Sequence, residues 1–280
     1  MKKAFIICML IPSLLLSCPC AQADTASELS LLAINVGKAD ALLLRCGTSA
    51  WLTDTGSKKS AASLIRVLQN EGVTRLTGVI LTHTHADHVG GLKALLDSGI
   101  VIEGIYASKY YVLKKEDGKH PVAKAIKKKD YEITWLAGGD ELPLDGGKLS
   151  VLGPLELNEE AENCNSLVLL AEGGGGSILL TGDMEFPEED SLLKAGVIPQ
   201  ADVLKIGNHG EGDATSRQLV ITVQPKLAVI STDSDEEPDT PDPRVIRLLK
   251  DQGIEYAVTQ NSESGILVTL KNGEITTVMK

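Results

Sequence analysis

Leu81-Thr82-His83-Thr84-His85-Ala86-Asp87-His88-Val89-Gly90-Gly91 is the stretch on which the fold turns. The apolar run Leu76 to Thr82 before it reads as a strand, and Gly90 to Asp97 after it reads as a helix. The polar residues therefore sit in a loop held at both ends by regular structure. Three of the chain's five histidines fall within these six residues, His83 to His88, and His209 is a fourth. A lone histidine is usually a core residue, whereas H-x-H-x-D-H at a strand end is a ligand set. Alternation puts His83 and His85 on one side of the turn, able to hold one ion through imidazole nitrogen, while Asp87 and His88 turn toward a second. Imidazole and carboxylate without thiolate suit Zn2+, with Mn2+ or iron as substitutes. Two such ions about 3.5–4 Å apart share a water, lower its pKa toward about 7, and clamp the oxygens of an ester or phosphoryl group under attack.

Outward from this loop the chain alternates β-branched or Leu-rich runs with amphipathic stretches, which is an α/β pattern. Strands are predicted at Leu29 to Val36, Ala41 to Arg45, Ala50 to Thr53, Leu76 to Thr82, Val101 to Ala107, Leu149 to Leu152, Ser166 to Ala171, Ser177 to Thr181, Asp202 to Ile206, Leu227 to Ser231, Glu255 to Thr259 and Gly265 to Leu270. Helices are predicted at Lys59 to Asn70, Gly90 to Asp97, Pro121 to Lys129, Pro187 to Ala195, Ser216 to Thr222 and Pro243 to Gln252. Ala41 to Asp54 and Ser166 to Asp183 share one plan: an apolar strand, a polar or Gly-rich turn, and a second apolar strand delivering an Asp. Gly173 to Gly176 is such a hairpin turn and not a phosphate loop, because no helix follows it. Two similar halves would bring Asp54 and Asp183 near a shared edge, where loops build active sites.

Beyond the histidine block, Asn35-Val36-Gly37-Lys38-Ala39-Asp40-Ala41, Leu52-Thr53-Asp54-Thr55-Gly56, Asn163-Cys164-Asn165-Ser166-Leu167-Val168, Leu180-Thr181-Gly182-Asp183 and Leu204-Lys205-Ile206-Gly207-Asn208-His209-Gly210 follow in order. With that block they resemble the metallo-β-lactamase superfamily, and within it the ComEC-like competence hydrolase domain and its stand-alone secreted relatives. The resemblance covers Leu29 to Leu270. It implies a four-layer αββα sandwich of two pseudo-symmetric halves. It also implies that Asp183 bridges the two metals, that His209 binds the second, and that Asp54 orients the site from behind the ligands.

The chain departs from the family pattern in three places. Relatives read H-H-G where this chain has Asn208-His209-Gly210, and G-H-P-H-P where it has Asp239-Thr240-Pro241-Asp242-Pro243 inside an acidic loop. Many also carry a further histidine between the block and the bridging Asp; the one histidine there is His120, which reads as a surface residue. The first metal thus lacks a histidine ligand, leaving water, Asn165 or Cys164 to complete it. His120 lies in Lys114 to Lys129, where seven Lys face Glu116 and Asp117. That segment is either a solvated helix face or a patch that tracks phosphates near the site mouth.

Composition bounds what the rest can do. A net charge of −11 opposes nonspecific binding of nucleic acid or anionic membrane by the whole surface, and 3% aromatic residues leave few stacking platforms. Met1-Lys2-Lys3 and the apolar run Ala4 to Leu16 read as a targeting leader, too short to span a bilayer. It ends either at Ala21-Gln22-Ala23, giving residues 1–23 as a signal peptide and 24–280 as one hydrolase domain, or before Cys18 as a lipoprotein signal. Both readings place the protein outside the cytoplasm, with a lipid on Cys18 as its one route to a membrane. Cys46 and Cys164, the two cysteines of the body, read as buried residues in separate strands or as a single bridge.

Two functions follow. The first is a metal-dependent hydrolase in which Asp87 holds the nucleophilic water and Asp183 joins the ions. Its partners are small-molecule or polymeric esters, and the resemblance implies a phosphodiester, nucleic acid included, reached through Lys114 to Lys129. The second is a secreted binding or scaffold protein that keeps the fold around a degenerate metal site.

Overall fold

The structure is a computed structural model describing residues 27–110, 126, 129 and 131–280. The leader and most of Lys114 to Lys129, including the helix expected at Pro121, lie outside these residues. The first half runs β1 (Leu29–Ile34), β2 (Leu42–Cys46), β3 (Ser49–Thr53), α1 (Ala61–Asn70), β4 (Arg75–Leu76), β5 (Gly78–Leu81), α2 (Ala86–Val89), α3 (Leu92–Asp97), β6 (Val101–Ile102), β7 (Ile105–Ser108) and β8 (Ile133–Leu136). The second runs β9 (Glu141–Leu144), β10 (Gly147–Gly153), β11 (Val168–Gly173), β12 (Gly176–Leu180), α4 (Phe186–Ala195), β13 (Val203–Lys205), α5 (Arg217–Val223), β14 (Leu227–Ile230), α6 (Pro243–Asp251) and β15 (Glu255–Val258). The chain then returns through β16 (Gly265–Lys271) and β17 (Glu274–Met279) to the first half.

One sheet has the order β17-β16-β1-β2-β3-β5-β7-β8 and the other β15-β14-β13-β12-β11-β10-β9, with β4 and β6 paired apart. Leu29, Leu31 and Ala33 of β1 join a core shared by both sheets, with Leu42, Leu44 and Trp51 opposite Leu169, Ile178, Leu180 and Val203. Leu32 and Ile34 point the other way, onto Leu64 and Leu68 of α1 and Leu92 and Leu95 of α3. Leu170, Leu179 and Leu204 likewise pack beneath Leu192, Leu219, Val245 and Leu249 of α4, α5 and α6. Strands buried on both faces are apolar at nearly every position, here with Ser30, Arg45 and Lys205 as exceptions, which is why these runs show no alternation. The result is the expected four layers, helix, sheet, sheet, helix.

Parallel pairing positions the site. β3, β5 and β7 run parallel, as do β12, β13 and β14, so within each sheet their C-terminal ends emerge at one edge. Those ends carry Asp54, the histidine block, Asp183 and His209, the usual place for a ligand site in parallel sheets. The helices between them begin as expected: Ser216 caps α5 by accepting from Leu219 N at 3.1 Å, and Pro243 opens α6 behind Asp242.

The expected strand Leu76 to Thr82 is divided in two. Thr77 turns its N–H to Ala50 O at 2.7 Å and its hydroxyl accepts from Ala50 N at 3.0 Å, so β4 leaves the sheet to pair with β6. Strands β8, β9 and β17 have no counterpart among the strands expected from the sequence, since β8 and β9 are short and partly exposed and β17 is largely exposed, leaving a weak apolar signal. Cys46 and Cys164 are both free and buried.

Glu188, in the first turn of α4, is buried with neither carboxylate oxygen hydrogen-bonded. Burial, with Glu185 nearby, raises its pKa well above the ordinary value. A carboxyl raised in the folded state stabilises below its unfolded pKa and loses that contribution as pH rises through the folded value. Glu188→Gln should therefore raise the melting temperature at pH 8 by a few degrees, at about 2–4 °C per kcal/mol, and change it little at pH 5. Thermal unfolding at both pH values checks this.

Candidate metal centre

His88 is gripped from both sides by the two halves of the molecule. Its Nδ1 donates to Asp54 Oδ2 at 2.8 Å, and its Nε2 lies 3.0 Å from Asp183 Oδ2 and 3.3 Å from His209 Nε2. The two Asp residues that end the repeated hairpins therefore meet on opposite nitrogens of one ring. Burial opposes a charge on this ring, but Asp183 and Asp54 outweigh it and hold its pKa well above the usual imidazole value. Burial also opposes charge on His209, and Asp183, Asp87 and Asp40 lift its pKa to about 9.

Asp54 itself is fixed by Thr82, whose N–H donates at 2.9 Å and whose hydroxyl donates at 2.7 Å. Because that hydroxyl proton goes to Asp54, its oxygen accepts from His83 Nδ1, 3.2 Å away. His83 Nε2 then carries the lone pair, and this buried atom has no hydrogen-bond partner. It lies 3.7 Å from Asp183 Oδ2, and Asp183 Oδ1 is also buried without a hydrogen bond. Burial, and next the His88 charge, keep the His83 pKa well below the ordinary value, so its nitrogen stays available as a donor.

Among the described residues, Asp40, Asp54 and His88 form one cluster whose ligand atoms lie within 4.8 Å of one another, and two more with the same spacing share a carboxylate: His83, His85 and Asp183, and Asp87, His88, Asp183 and His209. Asp183 belongs to both of the latter. Buried, unpaired nitrogen and carboxylate donors aimed into one space fit a divalent ion. All seven residues named from the sequence are thus gathered at this edge.

The loops that carry them are bolted together by backbone. Thr55 N and Thr55 Oγ1 both donate to His88 O, at 2.6 and 2.9 Å, and Asp40 N donates to Asp87 O at 3.2 Å. Gly90 and Gly91 make this approach possible, since a Cβ on Gly91 would stand 2.1 Å from Thr55 O. Asp54, Asn208 and His209 all hold positive φ, at 60°, 43° and 53°, a conformation that L residues adopt only under constraint.

Several contributors went unassigned in the sequence. Lys205 is fully buried in an ion pair with Asp40, donates to Gly182 O at 3.1 Å, and lies 4.0 Å from Asp183 Oδ1. Ser231 O accepts from His209 Nδ1 at 2.8 Å, and Ser166 Oγ accepts from Asp183 N at 3.2 Å. Lys38 spans Glu211 at 3.0 Å and Asp87 at 3.6 Å. Lys38, Asp40, Ser166 and Lys205 all stand inside the quoted motifs, whose spacing carried no information about burial. Asn208 turns its amide to Asp213 Oδ1 at 3.2 Å. Asn165 is consumed by its own loop, accepting from Asn158 N at 2.9 Å and donating to Asn158 O and Ala161 O. Cys164 packs against Glu185 and stands outside the ligand clusters, and burial pushes its thiol up to about 11.

A model of the metallo-β-lactamase superfamily matches residues 34–234. Among curated proteins, the chain is 29% identical over 274 residues to ComE operon protein 3 of Bacillus subtilis, covering 91% of this chain and 34% of that protein. It is 31% identical over 222 residues to Recombination protein 2 of Haemophilus influenzae, covering 78% and 25%. It is 32% identical over 139 residues to Ribonuclease TTHA0252 of Thermus thermophilus, covering 48% and 32%. The chain thus spans 34% or less of the length of these relatives. Among solved structures, the metallo-β-lactamase fold protein YhfI of Bacillus subtilis superposes with a TM-score of 0.58 at 14% identity, covering 87% of this chain and 99% of that one. A diphosphatase of the PhnP family gives 0.54 at 12% identity, covering 91% and 99%. Sequence, layered architecture and clustered His and Asp side chains at the strand ends agree, and the chain belongs to the metallo-β-lactamase superfamily of hydrolases.

Proposed function

We propose that this chain is an extracytoplasmic, metal-dependent phosphodiester hydrolase that takes nucleic acid among its substrates. The observation that carries the reading is Asp183, a single carboxylate common to two ligand clusters. His83, His85 and Asp183 would hold one ion, and Asp87, His88, Asp183 and His209 a second. Bound zinc or manganese at such a centre supplies an acidified water and draws charge off an ester or phosphoryl oxygen.

The chain's own groups divide the remaining work. Asp87 is half-buried, and although burial resists its charge, His209 and His88 depress its pKa, so it stays ionised and orients the water. Lys38, held beside it, gives an anionic substrate a cation at the rim. Asp54 keeps His88 turned toward Asp183. The phosphodiester choice draws support from relatives named as a ribonuclease and a diphosphatase. The extracytoplasmic location rests on the leader, read either as a signal peptide of residues 1–23 or as a lipoprotein signal ending before a lipidated Cys18; among the described residues no helix is long and apolar enough to cross a membrane.

A polyanion must overcome the net negative charge, and Lys114 to Lys129 is the segment able to offset it locally. Replacing Lys124, Lys127, Lys128 and Lys129 together by Gln should lower oligonucleotide cleavage and flatten its salt dependence. Hydrolysis of bis-p-nitrophenyl phosphate should stay nearly unchanged, because a small ester releases few counterions. Equal losses on both substrates would mark damaged structure, and no loss on either would make the segment a solvated face. Wild-type protein that cleaved only thioesters or lactams would refute the phosphodiester reading. The competing reading, a binding or scaffold protein with a degenerate site, requires no turnover of any of these esters.

A further inference from the structure

Three of the four site histidines have one ring nitrogen committed to the protein. His88 Nδ1 gives its proton to Asp54, His209 Nδ1 to Ser231 O, and His83 Nδ1 to Thr82 Oγ1. In each the other nitrogen, Nε2, faces the clusters. His85 is the exception, with its side chain 43% exposed. The group facing it is Glu162, whose Oε2 stands 3.9 Å from His85 Nε2. The other oxygen, Oε1, accepts the hydroxyl proton of Thr84, the residue between the two histidines. Glu162 thus touches the ligand loop at two adjacent residues. It stands outside the trio His83, His85 and Asp183 that shares ligand distance, and Asn165 and Cys164 beside it are engaged elsewhere.

We propose that Glu162 is the positioning carboxylate of His85, taking its Nε2–H so that Nδ1 is the nitrogen presented to the first metal. The proposal rests on the metal-centre reading above. The 3.9 Å separation is an ion-pair distance, which a small rotation of either side chain shortens to a hydrogen bond. A carboxylate on the far nitrogen of a ligating histidine fixes its orientation and raises its basicity, and removing one typically costs 10–100-fold in metal affinity. Here it strengthens a site that is one histidine short.

The test uses the whole chain, with zinc affinity measured by chelator competition and the Co2+-substituted protein by visible absorption. Glu162→Ala should weaken the first zinc by roughly 10–100-fold, and the isosteric Glu162→Gln by roughly 10-fold. Both should keep the wild-type Co2+ band positions, since no ligand is lost. His85→Ala is the comparator, losing one equivalent and shifting the bands. Wild-type affinity in both Glu162 variants would overturn the role. Bands shifted as in His85→Ala would overturn it differently, making Glu162 a direct ligand. Wild-type protein that bound no zinc would remove the metal centre itself, and with it this role.

Discussion

Asp183→Ala should abolish metal binding and lower kcat/KM on bis-p-nitrophenyl phosphate by about 10^3-fold or more, beyond the 10^2–10^3 lost with one preorganised donor. Asp183 is shared by both clusters, so one substitution strips a carboxylate from each. His85→Ala provides the contrast, because His85 belongs to one cluster only and its loss should leave one ion in place. Both residues sit on loops at a strand edge and not among the core side chains, so far-UV circular dichroism should remain that of wild type. Metal analysis of the two purified variants checks the difference. Equal metal content in both would break the claim that Asp183 is common to the two sites.

Lys205→Met should produce the largest loss of stability. The ammonium is fully buried, pairs with buried Asp40, and donates to Gly182 O next to Asp183. Removing one partner of a buried ion pair strands the other charge, which costs about 3–5 kcal/mol. At about 2–4 °C per kcal/mol the melting temperature should fall by roughly 10 °C. Adding Asp40→Asn should restore most of it, because the stranded charge and not the missing contact causes the loss. A single variant as stable as wild type would show that the pair contributes nothing.

The layered fold was readable because its strands are buried on both faces, and Leu29 to Ile34 or Leu42 to Cys46 can then be little but apolar. The hairpin repeat ending at Asp54 and Asp183 announced two halves, and in the structure those residues do meet, on His88. Exposed strands such as Glu274–Met279 escaped, since pairing at a sheet edge asks little of side-chain polarity. The site was legible where chemistry is concentrated in one segment, as at His83 to His88. It was illegible where a residue acts through burial or long-range packing. Nothing local to Lys205 distinguishes it from a surface lysine, and Glu162 lies 77 positions from His85 in a run of acids. Only the folded loops show which of those acids faces the ring.

Two ions joined at Asp183 fix a stoichiometry that counting the bound metal reads out. Purified wild-type protein, saturated with zinc or manganese and freed of excess ions, should carry close to two equivalents by atomic emission. Stripping them should end hydrolysis of bis-p-nitrophenyl phosphate, and returning them should restore it. A protein that saturates at one equivalent or fewer, or that hydrolyses the diester equally well when stripped, would show that Asp183 does not join two catalytic ions.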